Sequence, residues 1–272
     1  MNATADSAAR TKSYFLSDAH LGAAYIKDAR AHEARIVEML TTMGRDAEGI
    51  YLLGDILDFW FEYSDVVPRG HTRLFGTLAA LTDAGVKVYW FRGNHDMWTY
   101  SYLSEELGVT IVDEELVTTI GGKTFFLSHG DGLGKLPRAF GIMRAIFRNR
   151  FCQRVGRALH PSWLLPFAFR WSSHNRTKRT GEPSRWHGIE REQQMQFAIA
   201  HSDAHPEVDY YVTGHRHVAI DLPVPGSHAR FVCLGDCFQQ YTYAVFDGTE
   251  LSLDTFHFGR RNDAHKHNDT TE

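Results

Sequence analysis

Five short apolar runs along this chain each end in a block of Asp, Asn or His, and that recurrence restricts the fold more than any other feature. Ser13 to Leu16 leads into SDAHLG (17–22), Ile50 to Leu53 into GDILDFW (54–60), and Val86 to Phe91 into GNHD (93–96). Lys123 to Leu127 leads into SHGDG (128–132), and Tyr210 to Val212 into GHRH (214–217). Short apolar runs punctuated by Gly read as strands buried on both faces. Between them lie stretches at helical spacing. Residues 29 to 43 carry Ala34, Val37 and Met39 or Leu40 on one face, and a second stretch near Thr72 to Ala84 stops at Gly85, a C-cap residue. Strand and helix in alternation, with polar residues at the strand ends, predict a layered α/β domain whose ligands bind at the carboxyl edge of its strands. Phe231 to Leu234, Tyr241 to Phe246 and Leu251 to Phe256 are expected as antiparallel strands closing the sheet, before a polar tail over residues 259–272.

The residues at that edge share a chemistry. They are Asp18 and His20, which alternate across Ala19 and so point the same way in extended backbone, then Asp55, Asn94, His95, His129, His215 and His217. Oxygen and imidazole donors without a thiolate suit divalent cations such as manganese, iron or zinc. Two ions need a shared ligand, and Asp55 is the natural bridge. A lone Gly-Asp after an apolar run more often caps a helix, and a lone His is more often a packed or surface residue. Five such blocks in order leave little room for that explanation.

The three cysteines, Cys152, Cys233 and Cys237, are odd in number and lack zinc spacing, which fits a reducing, cytoplasmic setting, and Cys233 and Cys237, close to the C-terminal strands, are expected to pack rather than ligate. The polar opening MNATADSAARTK has no apolar core of a signal peptide, and no window reaches the roughly 18 apolar residues of a spanning helix.

Charge is unevenly spread. Residues 132–181 hold eleven Lys or Arg and no acid, so the rest of the chain sets 18 basic residues against all 33 acids. In this basic stretch Leu136, Phe140, Met143, Phe147, Phe151, Val155 and Leu159 recur at three- and four-residue steps, predicting one apolar helical face flanked by Arg144 and Arg148 on one side and Arg150, Arg154 and Arg157 on the other. PSWLLPFAFRW (161–171) adds a dense aromatic run. Basic residues bordering apolar surface suit an anionic membrane surface. Core packing would give the same stripe, and a nucleic-acid backbone would attract the same charge, although the acidic remainder would repel it. Joining two ligand blocks, the stretch must hang over the site.

Asp-x-His, Gly-Asp, Gly-Asn-His-Asp, His-Gly-Asp and Gly-His-x-His in this order resemble the calcineurin-like metallophosphoesterases over roughly residues 13 to 217. The resemblance implies a four-layer α/β/β/α sandwich over residues 13–258, with residues 133–200 as a helical lid insertion. It implies that Asp18, His20 and His217 hold one metal, that Asn94, His129 and His215 hold the other, and that Asp55 bridges them. His95 would be the acid beside the scissile phosphate and Asp96 would orient it. Such ion pairs, about 3.5–4 Å apart, clamp phosphate oxygens and acidify a bound water. Within the superfamily, SDAHLG, GDILDFW, GNHD and SHGDGL with a helical insertion are most similar to the UDP-2,3-diacylglucosamine diphosphatases of lipid A synthesis. That branch implies a manganese-dependent enzyme, peripheral on the cytoplasmic face of the inner membrane, that splits a lipid-linked UDP-sugar into UMP and the acylated sugar 1-phosphate. Arg144, Phe147, Arg148 and Phe151 would then meet substrate, and no nucleic acid is expected. Well-known members of the branch carry arginine where this chain has His95, the commoner superfamily residue. Two other readings stay open: the same chemistry on a soluble nucleotide, nucleotide-diphosphate conjugate or phosphoprotein, and a membrane- or protein-binding scaffold on an inactive hydrolase fold.

Overall fold

The computed structural model describes residues 10–164, 166 and 184–259. The first half of the chain is a βα series: β1 (Lys12–Leu16), α1 (Ala29–Met43), β2 (Ala47–Leu52), α2 (Thr72–Asp83), β3 (Lys87–Phe91), α3 (Tyr102–Leu107) and β4 (Thr110–Val112). β1 to β4 pair in parallel in chain order. β10 (Thr242–Phe246) and β11 (Leu251–Thr255) extend the same sheet antiparallel from β1. The second sheet runs β5 (Glu115–Ile120), β6 (Lys123–Ser128), β7 (Tyr210–Thr213), β9 (Arg230–Leu234), β8 (Ala219–Pro223), with β6, β7 and β9 parallel.

Side-chain alternation along each strand stacks these sheets. Phe15, Tyr51 and Phe91 of the first sheet meet Phe125, Leu127, Tyr210, Val212 and Val232 of the second in one core. Their neighbours point the other way: Leu16, Ile50, Leu52, Val88 and Trp90 pack with residues of α1, α2 and α3. On the second sheet Phe126, Tyr211 and Phe231 pack with Met195 and Ala198 of α6 (Gln193–Ala204). The period of two therefore produces four layers, helix, sheet, sheet, helix. Aromatic rings tie the inner layers together: Phe15 stacks on Tyr51 at 4.9 Å and on Phe125 at 5.6 Å, and Phe125 stacks on Tyr210 at 4.9 Å.

Two expectations change. Phe231 to Leu234 does not close the first sheet antiparallel but runs parallel to β7 in the second. This pairing sends Val232 and Leu234 into the core between the sheets and Phe231 and Cys233 toward α6. The edge strand β8, half-buried along most of its length, was not anticipated.

The basic stretch is helical but not one helix. α4 (Arg138–Arg148) and α5 (Arg150–Ala158) meet at Asn149, whose extended backbone (ψ 122°) breaks the hydrogen-bond ladder while its side chain accepts from the Phe151 and Cys152 N–H groups and caps α5. Neither helix buries a side chain fully. By contrast α6 is part of the outer layer of the second sheet, so residue 200, the expected end of the insertion, falls inside a core helix. Residues 165 and 167–171 of the aromatic run and 260–272 of the tail lie outside the described residues.

Candidate metal centre

All five polar blocks follow strands that run parallel within their sheets, β1, β2 and β3 in one and β6 and β7 in the other, so their loops meet at one end of the sandwich. Hydrogen bonds stitch the loops together. The Asp18 N–H donates to Gly54 O (3.1 Å), the His20 N–H to Asp55 O (3.0 Å), and the His215 N–H to Asp18 Oδ2 (2.7 Å). Close approach explains two glycines of the blocks. A Cβ on Gly54 would sit 2.7 Å from His129 Nδ1 and 2.8 Å from Gly93, and one on Gly93 would overlap the Asp55 carboxylate.

The backbone is strained where the polar side chains converge. Among the described residues seven non-glycine positions have positive φ, and five of them are Asp18 (52°), His20 (45°), Asp55 (52°), His215 (69°) and His217 (52°). L-residues rarely adopt this conformation, and it persists where the surroundings enforce it, commonly at functional sites.

The resulting donor geometry fits two cations. Asp18, His20 and His217 bring one donor atom each within 4.8 Å of one another, and so do Asp55, His129 and His215. In the first group Asp18 Oδ1 is buried. It lies 3.0 Å from His217 Nε2 and 3.7 Å from His20 Nε2, and the two imidazole nitrogens are 3.2 Å apart. The Asp58 carboxylate, 3.5 Å from His20 Nδ1, favours the proton there and leaves the Nε2 lone pair facing its neighbours. In the second group His129 Nδ1 donates to Leu53 O (2.8 Å), which turns Nε2 toward Asp55 Oδ2 at 3.4 Å and Asn94 Oδ1 at 3.2 Å. His20, Asp55 and His95 form a third cluster of the same size, so His95 stands beside both groups.

Electrostatics agree. Burial pushes the Asp55 carboxyl up, yet the attraction of His129 and His95 more than reverses this and holds it well below the usual carboxylate range. Asp18 is likewise held down by His217 and His20 against the effect of burial. Burial lowers His129, but its charge attraction and hydrogen bond to Asp55 carry it up to about 10. Two ionised carboxylates in a buried nest of imidazoles create an anionic pocket that a divalent cation neutralises.

His95 and Asp96 are held by separate contacts. His95 Nδ1 donates to the backbone oxygen of Asp58 at 2.9 Å, so Nε2 faces the site, 4.0 Å from Asp55 Oδ2. Asp96 does not orient that ring. Its carboxylate accepts from the N–H groups of Gly93 (2.8 Å), Ile56 (3.0 Å), Asp55 (3.3 Å) and Leu57 (3.4 Å), holding the Gly-Asp and Gly-Asn-His-Asp loops to each other. Burial and the Asp55 charge raise it to about 7. Asp58, given no role from sequence, instead touches both His20 and His95, and the Asp-x-x-Asp spacing of GDILD was its available signal.

At the site's rim α4 is fixed by ion pairs. Arg144 Nε donates to Asp131 Oδ2 (2.9 Å) and its NH2 lies 3.1 Å from Glu114, while Arg148 reaches Asp131 at 3.6 Å and Glu114 at 3.3 Å. Both guanidinium groups expected to meet substrate thus already hold carboxylates, and Asp131, two residues beyond His129, joins α4 to the loop that carries His129. Phe147 packs edge-on against Trp98 (5.8 Å), and its carbonyl accepts from Trp98 Nε1 at 2.7 Å. Phe151 is 72% exposed and points away from this contact.

Comparison with known proteins places this geometry in context. A UDP-2,3-diacylglucosamine hydrolase of Porphyromonas gingivalis is 39% identical over 259 residues, covering 90% of this chain and 98% of its own. Another from Aeromonas salmonicida is 28% identical over 255 residues, 88% of this chain and 91% of its own. A solved archaeal phosphodiesterase aligns with 90% of this chain and 99% of its own at TM-score 0.45 and 14% identity. The model of the calcineurin-like phosphoesterases matches residues 11–219, a span that takes in every one of the five blocks, and the chain belongs to that family of metal-dependent hydrolases.

Proposed function

We propose that the chain hydrolyses the diphosphate of UDP-2,3-diacylglucosamine, water adding to give UMP and 2,3-diacylglucosamine 1-phosphate. The observation that carries this reading is identity of 39% along 98% of a relative bearing that activity in its name, joined to a complete donor set at the strand ends. Asp18, His20 and His217 would hold one ion, Asn94, His129 and His215 the other, and Asp55 both. Oxygen and imidazole donors suit Mn²⁺. A bound pair of divalent ions supplies charge neutralisation at the phosphate and an acidified water. The chain's own contribution is positioning. The Asp58 carbonyl holds His95 with Nε2 toward the site, where it can give a proton to a leaving oxygen or, if that oxygen belongs to a phosphate already stable as an anion, clamp its charge.

Lipid selection belongs, in this reading, to α4 and α5. Six of the ten large exposed hydrophobic residues among those described lie between Ile142 and Trp163. They are interspersed with Arg150, Arg154 and Arg157, and no helix among the described residues is long and apolar enough to cross a membrane. An apolar face with a basic border suits a protein resting on the anionic inner leaflet, with acyl chains entering along it from the bilayer.

The test is UMP release by the Mn²⁺-loaded protein from UDP-2,3-diacylglucosamine beside UDP-N-acetylglucosamine. Strong preference for the acylated substrate, abolished together with metal content in Asp55→Ala, is the expected result. Equal rates on both would transfer the assignment to soluble substrates, and no release from either would end the diphosphatase reading.

A further inference from the structure

Hydrolysis of a UDP-sugar requires a place for the uridine, and an aromatic wall stands beside His217. Among the site's histidines the His217 and His95 side chains are 25% and 20% exposed, whereas His20 and His129 are closed off. On the His217 side the Phe238 ring stands 5.3 Å from His217 and 5.7 Å from His20, and Tyr25 meets it edge-on at 5.6 Å. Tyr25 is 36% exposed and Phe238 half-buried, so both present ring surface to solvent next to the donor cluster.

The wall is built rather than incidental. The Asp236 carboxylate accepts from the N–H groups of Phe238 (3.1 Å), Gln239 (2.7 Å) and Gln240 (3.0 Å) and from the Gln240 side-chain amide (2.7 Å). That amide also donates to the His217 carbonyl at 2.9 Å, locking the loop to the ligand block. Tyr25 is presented by successive turns in which the Ala23 N–H donates to His20 O and the Ile26 N–H to Ala23 O. The acyl-binding helices are anchored elsewhere, through Trp98 and Asp131.

We infer that Tyr25 and Phe238 form the subsite for the nucleobase, a pyrimidine ring stacking on them while the phosphates reach the donor cluster between His217 and His95. A lipid chain gains most from a long aliphatic groove, whereas the flat face of one rigid ring, bounded by the second at an interplanar angle of 61°, offers a planar contact that a base matches. The inference rests on the diphosphatase reading for its ligand.

The experiment measures binding of UMP, ribose 5-phosphate and glucosamine 1-phosphate to the Mn²⁺-loaded protein by calorimetry. UMP should bind roughly 5- to 100-fold more tightly than ribose 5-phosphate, the range that base stacking on aromatic residues provides. Tyr25→Ala and Phe238→Leu should draw that ratio toward one with ribose 5-phosphate binding within about twofold of the parent, and Phe238→Tyr should restore it. Because Phe238 touches two ligand histidines, metal content is measured in each variant, and Tyr25→Ala decides alone if Phe238→Leu loses metal. A ratio unchanged in metal-replete variants, or dependence on these rings for glucosamine 1-phosphate instead of UMP, overturns the assignment. A protein that shows the base preference but releases no UMP from the diacylated substrate keeps this subsite and loses the lipid reading. One that releases UMP with an unchanged ratio does the reverse.

Discussion

At the scale of single residues the centre depends on where protons are held. Leu53 O and Asp58 O each accept from an imidazole Nδ1, which points Nε2 of His129 and His95 into the site. His95→Ala should therefore leave both metals in place, since the two principal donor groups omit it, yet lower turnover by roughly 10²- to 10⁴-fold if it transfers a proton. Metal analysis and steady-state rates check this. A greater loss on a phosphodiester with a poor leaving group than on the diphosphate identifies an acid; equal losses identify a charge clamp, and lost metal would make His95 a ligand. The types and order of the polar residues were legible in the sequence because strand-end chemistry requires particular side chains at particular places. The supports were less so. Asp96 binds four backbone N–H groups on two loops, and backbone acceptors and donors leave no mark in the sequence.

At the scale of elements, strands were readable through alternation and α1 and α2 through helical spacing, whereas the basic stretch misled. Its apolar residues keep a three- and four-residue rhythm through Asn149, so nothing in the pattern signals that this residue ends one helix and caps the next. The break has consequences. Phe147 turns inward onto Trp98, while Ile146, Phe151 and Trp163 are exposed. Replacing Phe151 and Trp163 by Ser should weaken sedimentation with anionic vesicles by about 10²- to 10⁴-fold, because burying each large apolar side chain contributes about 1.5–3 kcal/mol. The same double substitution should reduce kcat/KM on the diacylated substrate and leave hydrolysis of a small soluble phosphodiester and the metal content alone, since neither residue touches the donor cluster. Equal damage to both substrates with metals retained would mean that this face does not recognise lipid.

Over the whole molecule, the α/β class was visible from local patterns, but the division into two sheets was not, because pairing β9 with β7 rather than with β10 is a contact between distant segments. That division makes the candidate metal centre a link between halves: Asp18, His20, Asp55 and Asn94 follow strands of the first sheet, and His129, His215 and His217 strands of the second. The buried Asp18 and Asp55 carboxylates and five positive-φ residues converge on this pocket. Ions that bind the folded protein and not the unfolded chain stabilise it by about 2.7 kcal/mol at one hundred times the dissociation constant. For a chain of this size that corresponds to an upward shift in Tm of about 5–10 °C on adding Mn²⁺ to chelator-treated protein. Both sheets should gain together, so thermal transitions followed by far-ultraviolet circular dichroism and by tryptophan fluorescence should move by the same amount. Trp60 and Trp90, buried on the helix-facing side of the first sheet, and Trp186, packed beside the second, allow fluorescence to follow both. A Tm that stays fixed would show that the loops are held by protein contacts alone, and a shift seen by one probe only would show that the ions are bound within one half instead of across the two.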